Sequence, residues 1–317
     1  MTRLRRSRVS GTGAEIPVLT LTSPAPGPTV IITANLHGDE CTGIGVIHRL
    51  LDILPRSLRG GTVHLYPSLN PDGLIRKTRS LPGADRDPNR AFPGRSSGDK
   101  VERHAARIWR DIAGRKPSLL IDLHTDSCAS IPYAIVDRVV RGRGQSALMT
   151  RCLAFAEASG LTVLREYPDD LYIRYKLDKS LPGTMVNNLG IPAITLEVGP
   201  RGIVQHDAVH DALAATGGVL TALGLLEAPA PLHPARVSGG PWRRASGPVF
   251  TSEGAYIPRM KAGQRFNVGM VLGEVIGLDG GTRQRVMTTT AGFVVALPER
   301  AWVRPGQTSS TLGVLER

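Results

Sequence analysis

The chain has 317 residues, 39 of them Lys or Arg against 27 Asp or Glu, a formal net charge of +12, and only 4% aromatic residues. That length suffices for two domains and a sizeable core. The basic excess is scattered arginine without zinc-finger spacing, a recognition-helix pattern or aromatic interleaving, which argues against nucleic acid and for a small anionic substrate.

The first residues are arginine-rich (Arg3, Arg5, Arg6, Arg8) and read as a solvated tail. Val30-Ile31-Ile32 is a strand-like apolar run ending at Asn35-Leu36, and His37-Gly38-Asp39-Glu40 follows directly. Helical spacing then sets in, with Ile44, Ile47, Leu50, Leu51 and Leu54 on one side. An imidazole and a carboxylate three residues apart share a face if the helix begins there, and both can then point at one cation. The junction of a buried strand with a helix is also where open α/β sheets place their ligands.

Val63-His64-Leu65-Tyr66 reads as the next strand, followed by an Asn70-Pro71-Asp72-Gly73 turn. Arg76 to Gly94 would then be a long loop carrying Arg76, Lys77, Arg79, Arg86 and Arg90. Long loops inside compact domains are usually functional. Leu119-Leu120-Ile121-Asp122-Leu123 is a buried strand ending on His124, and Ile194-Thr195-Leu196-Glu197-Val198 is another that carries a carboxylate near its end. An acid inside such a run is costly to bury unless it is paired or functional. A helix through Asp207 to Leu226, marked by Val209, Leu213, Leu220, Leu223 and Leu225, closes this part, with His206 and His210 as exposed residues on or near it.

The alternation of strands and helices indicates an α/β fold, a mixed and mostly parallel sheet flanked by helices, over residues 1–227. Residues 228–236 form a proline-rich linker. Beyond it, short runs such as Gly292-Phe293-Val294-Val295-Ala296, punctuated by glycines, indicate a small all-β barrel or sandwich over 237–317. The cysteines, Cys41, Cys128 and Cys152, are odd in number and form no close pair, which fits a reducing cytoplasm and no disulfide framework. Cys41 and Cys128 read as small buried fillers. No signal peptide and no apolar run of membrane-span length is evident, so no membrane partner is expected.

Four polar residues, His37, Glu40, His124 and Glu197, thus lie at or near the ends of three predicted parallel strands. Singly, each has a bland explanation, such as a solvated helix start or a histidine satisfied by a carbonyl. Together they supply two histidines and a glutamate, the ligand set of a catalytic zinc site with one position open. A second, non-ligating glutamate is the general base such a site needs.

Asp87-Pro88-Asn89-Arg90-Ala91-Phe92-Pro93-Gly94 completes a pattern. With His37-Gly38-Asp39-Glu40, Asp122-Leu123-His124 and Leu196-Glu197-Val198-Gly199, it stands in the order seen in the succinylglutamate desuccinylase/aspartoacylase family of zinc-carboxypeptidase-like hydrolases. The chain resembles that family from about Arg8 to its C-terminus. The resemblance implies one zinc ion per chain held by His37, Glu40 and His124, with Glu197 activating the attacking water. It implies that Asn89 and Arg90 hold a substrate carboxylate and that Arg79 stabilises the oxyanion, with Arg76 and Arg86 as near neighbours. Pro88 stands where the family usually has leucine. The resemblance also implies a barrel-like C-terminal domain, related to biotinyl and lipoyl carriers. Met260-Lys261 lacks the methionine that should follow a biotinylated lysine, so the domain is expected to shape the active-site entrance or to mediate contacts in a homo-oligomer.

The expected function is therefore a cytoplasmic, zinc-dependent amidohydrolase that deacylates an N-acyl amino acid or similar small N-acyl amine. Arginine's planar fork suits a free carboxylate on that substrate. The rivals are a metallocarboxypeptidase with the same machinery and a non-catalytic zinc- or ligand-binding protein, which would not need Glu197 and the arginines. Specificity is expected between Arg165 and Gly183, where Tyr167, Tyr172, Arg174, Tyr175 and Lys176 offer polar and stacking groups.

Overall fold

Strands β1 (Arg3–Val9), β2 (Ile16–Thr22), β3 (Thr29–Ala34), β4 (Thr62–Tyr66), β5 (Leu119–His124), β6 (Tyr133–Val136), β7 (Thr162–Arg165) and β8 (Ala193–Glu197) build the first part of the sheet. Of these, β3, β5 and β8 are nearly continuous runs of Val, Ile, Leu and Ala, buried almost throughout. Strands with no solvent face belong at the centre of a parallel sheet covered by helices. The computed structural model, which describes residues 1–11, 13–140, 144–227 and 237–316, puts them there. Strands β4, β3, β5 and β8 run parallel, β6 lies antiparallel to β8, and β7 is again parallel to β6.

The C-terminal segment adds β9 (Trp242–Ser246), β10 (Gly254–Pro258), β11 (Arg265–Phe266), β12 (Val271–Ile276), β13 (Thr282–Met287), β14 (Gly292–Ala296), β15 (Trp302–Val303) and β16 (Thr311–Leu315). Four of these form a separate antiparallel sheet in the order β13-β12-β10-β15. The other four extend the main sheet, which has twelve strands in the order β1-β2-β4-β3-β5-β8-β6-β7-β9-β16-β14-β11. The fold class is the expected one, a mixed helix-covered sheet with a small all-β unit. The proline-rich stretch 228–236 lies outside the described residues.

The helices are α1 (Thr42–Ser57), α2 (Pro71–Arg76), α3 (Lys100–Gly114), α4 (Gln145–Ala158), α5 (Asp169–Arg174), α6 (Leu181–Thr184) and α7 (His206–Ala222). In α1 the buried face is Thr42, Gly43, Val46, Ile47, Leu50 and Leu54, whereas Ile44 and Leu51, expected on it, are half-buried. Gly43 explains the rotation: a Cβ there would meet the Cβ atoms of Ala34 and Leu123 at 2.8 and 2.9 Å, so the helix settles closely on the sheet at that point.

Four further expectations are corrected. The arginine-rich N-terminus is the edge strand β1, paired antiparallel with β2; Leu4 packs on the core while Arg3, Arg5, Arg6 and Arg8 face solvent. Charged side chains on an edge strand discourage pairing with other chains. Asn70-Pro71-Asp72-Gly73 opens α2 instead of ending as a turn, because Asn70 accepts from Gly73 N–H at 2.9 Å and Pro71 suits the first helical position. Helix α7 stops short of Leu226. Gly224, at φ 76°, closes it with bonds from Gly224 N–H to Thr221 and from Leu225 N–H to Leu220. Cys128 is exposed and Cys41 half-buried, so of the cysteines only Cys152 is a buried filler.

The main core surrounds the central strands, and a second cluster around Phe250, Tyr256 and Val275 fills the small β unit. A third cluster joins Tyr133, Ile135 and Leu164 of the first part to Trp242, Phe293 and Val295 of the second. The C-terminal segment is thereby packed beside β6 and β7, whose ends border the site described next. No helix among the described residues is long and apolar enough to cross a membrane.

Candidate active site

Between β3 and α1 the chain makes a tight turn, and His37 and Glu40 both lie in that turn, not on the helix face expected for them. Buried Asn35, in a left-handed conformation at φ 55°, directs its side-chain amide at the carbonyls of His37, Gly38 and Glu40, 2.9–3.1 Å away. Asparagine tolerates that backbone region better than most residues. Ser68 donates to Asn35 Oδ1 at 2.6 Å and fixes the amide's orientation. Gly38 lies against α2, where a Cβ would stand 2.1 Å from the Gly73 carbonyl carbon.

His124 ends β5 and Glu197 ends β8, and in the register of these parallel strands they are direct partners. Glu40 reaches across from the turn. Its Oε1 lies 2.8 Å from His37 Nδ1 and its Oε2 lies 2.7 Å from His124 Nδ1 and 3.1 Å from Thr125 N–H. The three side chains are buried, and each offers a ligand atom within 4.8 Å of the other two. Behind each imidazole stands a carboxylate: Asp87 Oδ1 is 2.9 Å from His37 Nε2, and Asp122 Oδ2 is 2.9 Å from His124 Nε2. That arrangement leaves Nδ1 of both rings for a metal ion. Asp122 is held in turn by Thr33, whose hydroxyl donates to Oδ1 at 2.6 Å. Two borderline nitrogens and one carboxylate, buried and pre-oriented, fit a divalent ion.

The charges are strongly coupled. Burial alone would raise the Glu40 carboxyl, but His37 and His124 outweigh it and hold the group well below the usual carboxylate range. Burial likewise opposes protonation of His124, yet Asp122 and Glu40 push it well above the usual imidazole range. Proton and metal ion compete for the same nitrogen, so ion binding releases protons. For Glu197 the order reverses. Burial raises its carboxyl, His124 opposes, and Asp126 and Glu40 add to the rise. Its Oε2 is buried with no hydrogen-bond partner among the described residues.

These residues line a cavity of about 110 Å³ together with Arg79, Asn89, Arg90 and Arg201. Arg79 donates to Glu40 Oε1 at 2.9 Å and to Asp87 Oδ2 at 3.1 Å, whereas Arg76 is exposed and Arg86 pairs with Asp99 at the surface. Pro88 begins a short 3-10 turn (Pro88–Arg90) in which Asp87 accepts from Asn89 N–H at 2.8 Å. Asn89 accepts from Leu181 N–H at 2.8 Å and turns its amide nitrogen toward His124. Arg90 donates to the carbonyls of Tyr175 and Asn89, leaving Nη2 with no hydrogen bond among the described residues.

A family profile described as the succinylglutamate desuccinylase/aspartoacylase catalytic domain matches residues 26–223. The chain belongs to this family. Among curated proteins, an N-alpha-acetyl-L-2,4-diaminobutyric acid deacetylase from Halomonas elongata is 29% identical over 127 residues, 39% of this chain and 37% of that protein. The match thus spans little more than a third of that relative. Among solved structures, an aspartoacylase family protein from Mesorhizobium loti superposes with a TM-score of 0.80 at 21% identity, covering 100% of this chain and 95% of that one. The product-bound ectoine utilization protein EutE from Ruegeria pomeroyi gives 0.80 at 21% identity, covering 99% and 93%. At these identities the structural likeness establishes the fold.

Several residues of the family member's site carry no local sequence signal. Asp87 and Asp122 sit inside the recognised motifs, but their contact with the histidine rings emerges only from the fold. Arg201 approaches Glu40 at 3.9 Å and Glu299 at 3.4 Å. Glu166 and Arg244 form an ion pair at 2.8 Å beside the cavity, and Asp137 borders it as well. From the stretch expected to set specificity, the cavity is lined by Glu166, Leu177, Ser180 and Pro182. Arg174 and Lys176 are exposed, and Tyr172 acts through a 2.8 Å bond to Asp137.

Asp122→Asn would keep the shape but reduce the negative charge behind His124. Metal affinity of the variant, read by competition with a chromogenic chelator, is expected to fall about ten- to hundredfold. Unchanged affinity would remove Asp122 from the metal site.

Proposed function

We propose that this protein is a zinc-dependent amidohydrolase that removes the acyl group from an N-acyl amino acid. The observation that carries the reading is the pairing of His124 with Glu197 across β5 and β8: a buried His37-Glu40-His124 donor set lies beside a buried carboxylate oxygen that no described residue engages. A zinc ion there supplies the Lewis acidity that polarises an amide carbonyl and acidifies water. Glu197 takes a proton from the attacking water and later delivers it to the leaving amine nitrogen. Its raised affinity for a proton suits a group that must both accept and return one near neutrality.

Arg79 and Arg201 bring positive charge to the side of the cavity where Glu40 lies, and Arg79 is the residue we assign to the developing oxyanion. Asn89 and the free Nη2 of Arg90 hold the substrate carboxylate, so that the scissile carbonyl arrives in one orientation. The Halomonas relative supports deacylation as the reaction. The second reading, a carboxypeptidase with the same machinery, is weighed against by the deacetylase among the relatives. We also propose that residues 237–317 act as a unit shaping the entrance, because Arg244 of β9 lines the cavity and Glu299 pairs with Arg201.

Glu197→Gln keeps the shape of the side chain but cannot accept a proton. Turnover of N-acetyl amino acids should fall by about 10² to 10⁴ while zinc content stays near that of the native protein; a variant that loses its zinc would make Glu197 a ligand instead. Arg90→Lys should lower catalytic efficiency roughly ten- to hundredfold, because lysine cannot reproduce the planar fork. Amidating the substrate carboxylate should cost the native enzyme a similar factor and the variant little more. Equal rates of the native enzyme on acid and amide would remove Arg90 from substrate binding.

A further inference from the structure

Asp137 follows β6 directly and Glu166 follows β7, and because these strands are parallel and adjacent, the two carboxylates emerge side by side. Both border the cavity that holds the metal ligands. Their surroundings differ. Glu166 is neutralised by Arg244 at 2.8 Å and also accepts from Tyr167 N–H at 3.2 Å, while Arg244 stacks on the Tyr167 ring at 5.3 Å. Asp137 has no ion-pair partner among the described residues. Its Oδ1 accepts from the buried Tyr172 hydroxyl at 2.8 Å, and its Oδ2 has no hydrogen bond among the described residues.

The cations nearby form no ion pair with Asp137, although the charge of Arg90 favours its carboxylate. Arg138, next in the chain, donates to the carbonyls of Glu166 and Tyr167 and pairs with Glu316 at 2.8 Å. Arg90 donates to the carbonyls of Tyr175 and Asn89 and turns its remaining Nη2 to the substrate carboxylate in the reading above. Asp137 is only 3% exposed, and burial, with Glu166 adding, pushes its carboxyl up to about 7. A carboxylate buried without a partner costs several kcal/mol unless it takes up a proton or a cation meets it. Its position along the strand is informative. Ile135 is the register partner of Thr195, and Glu197 that of Tyr133, so Asp137 lies four residues along β6 from the level of Glu197, about 13 Å between Cα levels. Both side chains reach into the shared cavity from the ends of that span.

The geometry points to Asp137 as the receptor for a primary ammonium at the far end of the substrate, so that the preferred substrates are N-acyl diamino acids. This rests on the deacylase reading for the reaction, but the subsite is a matter of binding and can be measured separately. The substrate would then be held at three places: its acyl carbonyl beside the metal ligands, its carboxylate at Asn89 and Arg90, and its side-chain ammonium at Asp137. Glu166, already paired with Arg244, keeps the pocket wall polar without competing for the cation.

The test uses the full chain loaded with zinc. Nα-acetyl-L-ornithine is compared with Nα-acetyl-L-norvaline, which has the same carbon chain but lacks the terminal ammonium. The native enzyme should favour the ornithine derivative ten- to hundredfold in kcat/KM, chiefly through KM. Asp137→Asn, which keeps an acceptor for Tyr172, should abolish that gap, with the loss falling on the ornithine derivative. Calorimetric titration of the native protein with 2,4-diaminobutyrate and with 2-aminobutyrate needs neither turnover nor a variant, and the diamino acid should bind ten- to hundredfold more tightly. Hydrolysis of both substrates without preference, or a preference that survives in a folded Asp137→Asn protein, would overturn the subsite and leave the reaction standing. Tighter binding of the diamino acid with no hydrolysis of any N-acyl amino acid would keep the subsite and overturn the reaction. Equal binding of the two amino acids would overturn the subsite.

Discussion

One buried carboxylate organises the centre of this molecule. Glu40 meets Nδ1 of both His37 and His124, and the other nitrogen of each ring is anchored by an aspartate. Neither ring can turn away without breaking two charged contacts in a buried setting, where removing one partner of a pair costs about 3–5 kcal/mol. The backbone beneath is equally constrained, because Asn35 ties three carbonyls of the turn to one amide. A site fixed this firmly before an ion arrives loses little freedom when it binds.

From that centre the charges alternate outward. Arg79 bridges Glu40 and Asp87, and Arg201 connects the same carboxylate to Glu299 of the C-terminal segment. Arg244, also from that segment, meets Glu166 at the end of β7. The main sheet continues through β9, and a shared apolar cluster packs Trp242 and Phe293 against Tyr133 and Ile135. The C-terminal segment therefore does more than sit beside the α/β part: it supplies Arg244 to the wall of the cavity. Electrostatics and packing thus converge on the same strip of sheet.

How much of this could be read beforehand followed from physical range. The apolar runs at Val30-Ile31-Ile32, Leu119–Leu123 and Ala193–Leu196 declare central strands, because a parallel sheet leaves them no solvent face. The polar residues at their ends, His124 and Glu197, stand out for the same reason. Some short-range features mislead. The N-terminal arginines hid an edge strand, since Arg3, Arg5 and Arg6 mask the apolar side chains that pair it with β2. Asn70 and Pro71 read equally well as a turn and as a helix start. Residues such as Arg201, Arg244 and Asp137 were not legible at all, because what brings them to the cavity is the pairing of strands far apart in sequence.

On the proposed reading, the buried His37-Glu40-His124 set makes this chain a metal-dependent hydrolase of amides. The most direct measurement is release of acetate from N-acetyl amino acids by the purified full chain, before chelation, after it, and after return of zinc, in water enriched in ¹⁸O. Release should stop with chelation, resume with zinc, and place one solvent oxygen in each acetate formed. Release that persists in the chelated protein, or no release from any N-acetyl amino acid by the zinc-loaded protein, would contradict that reading.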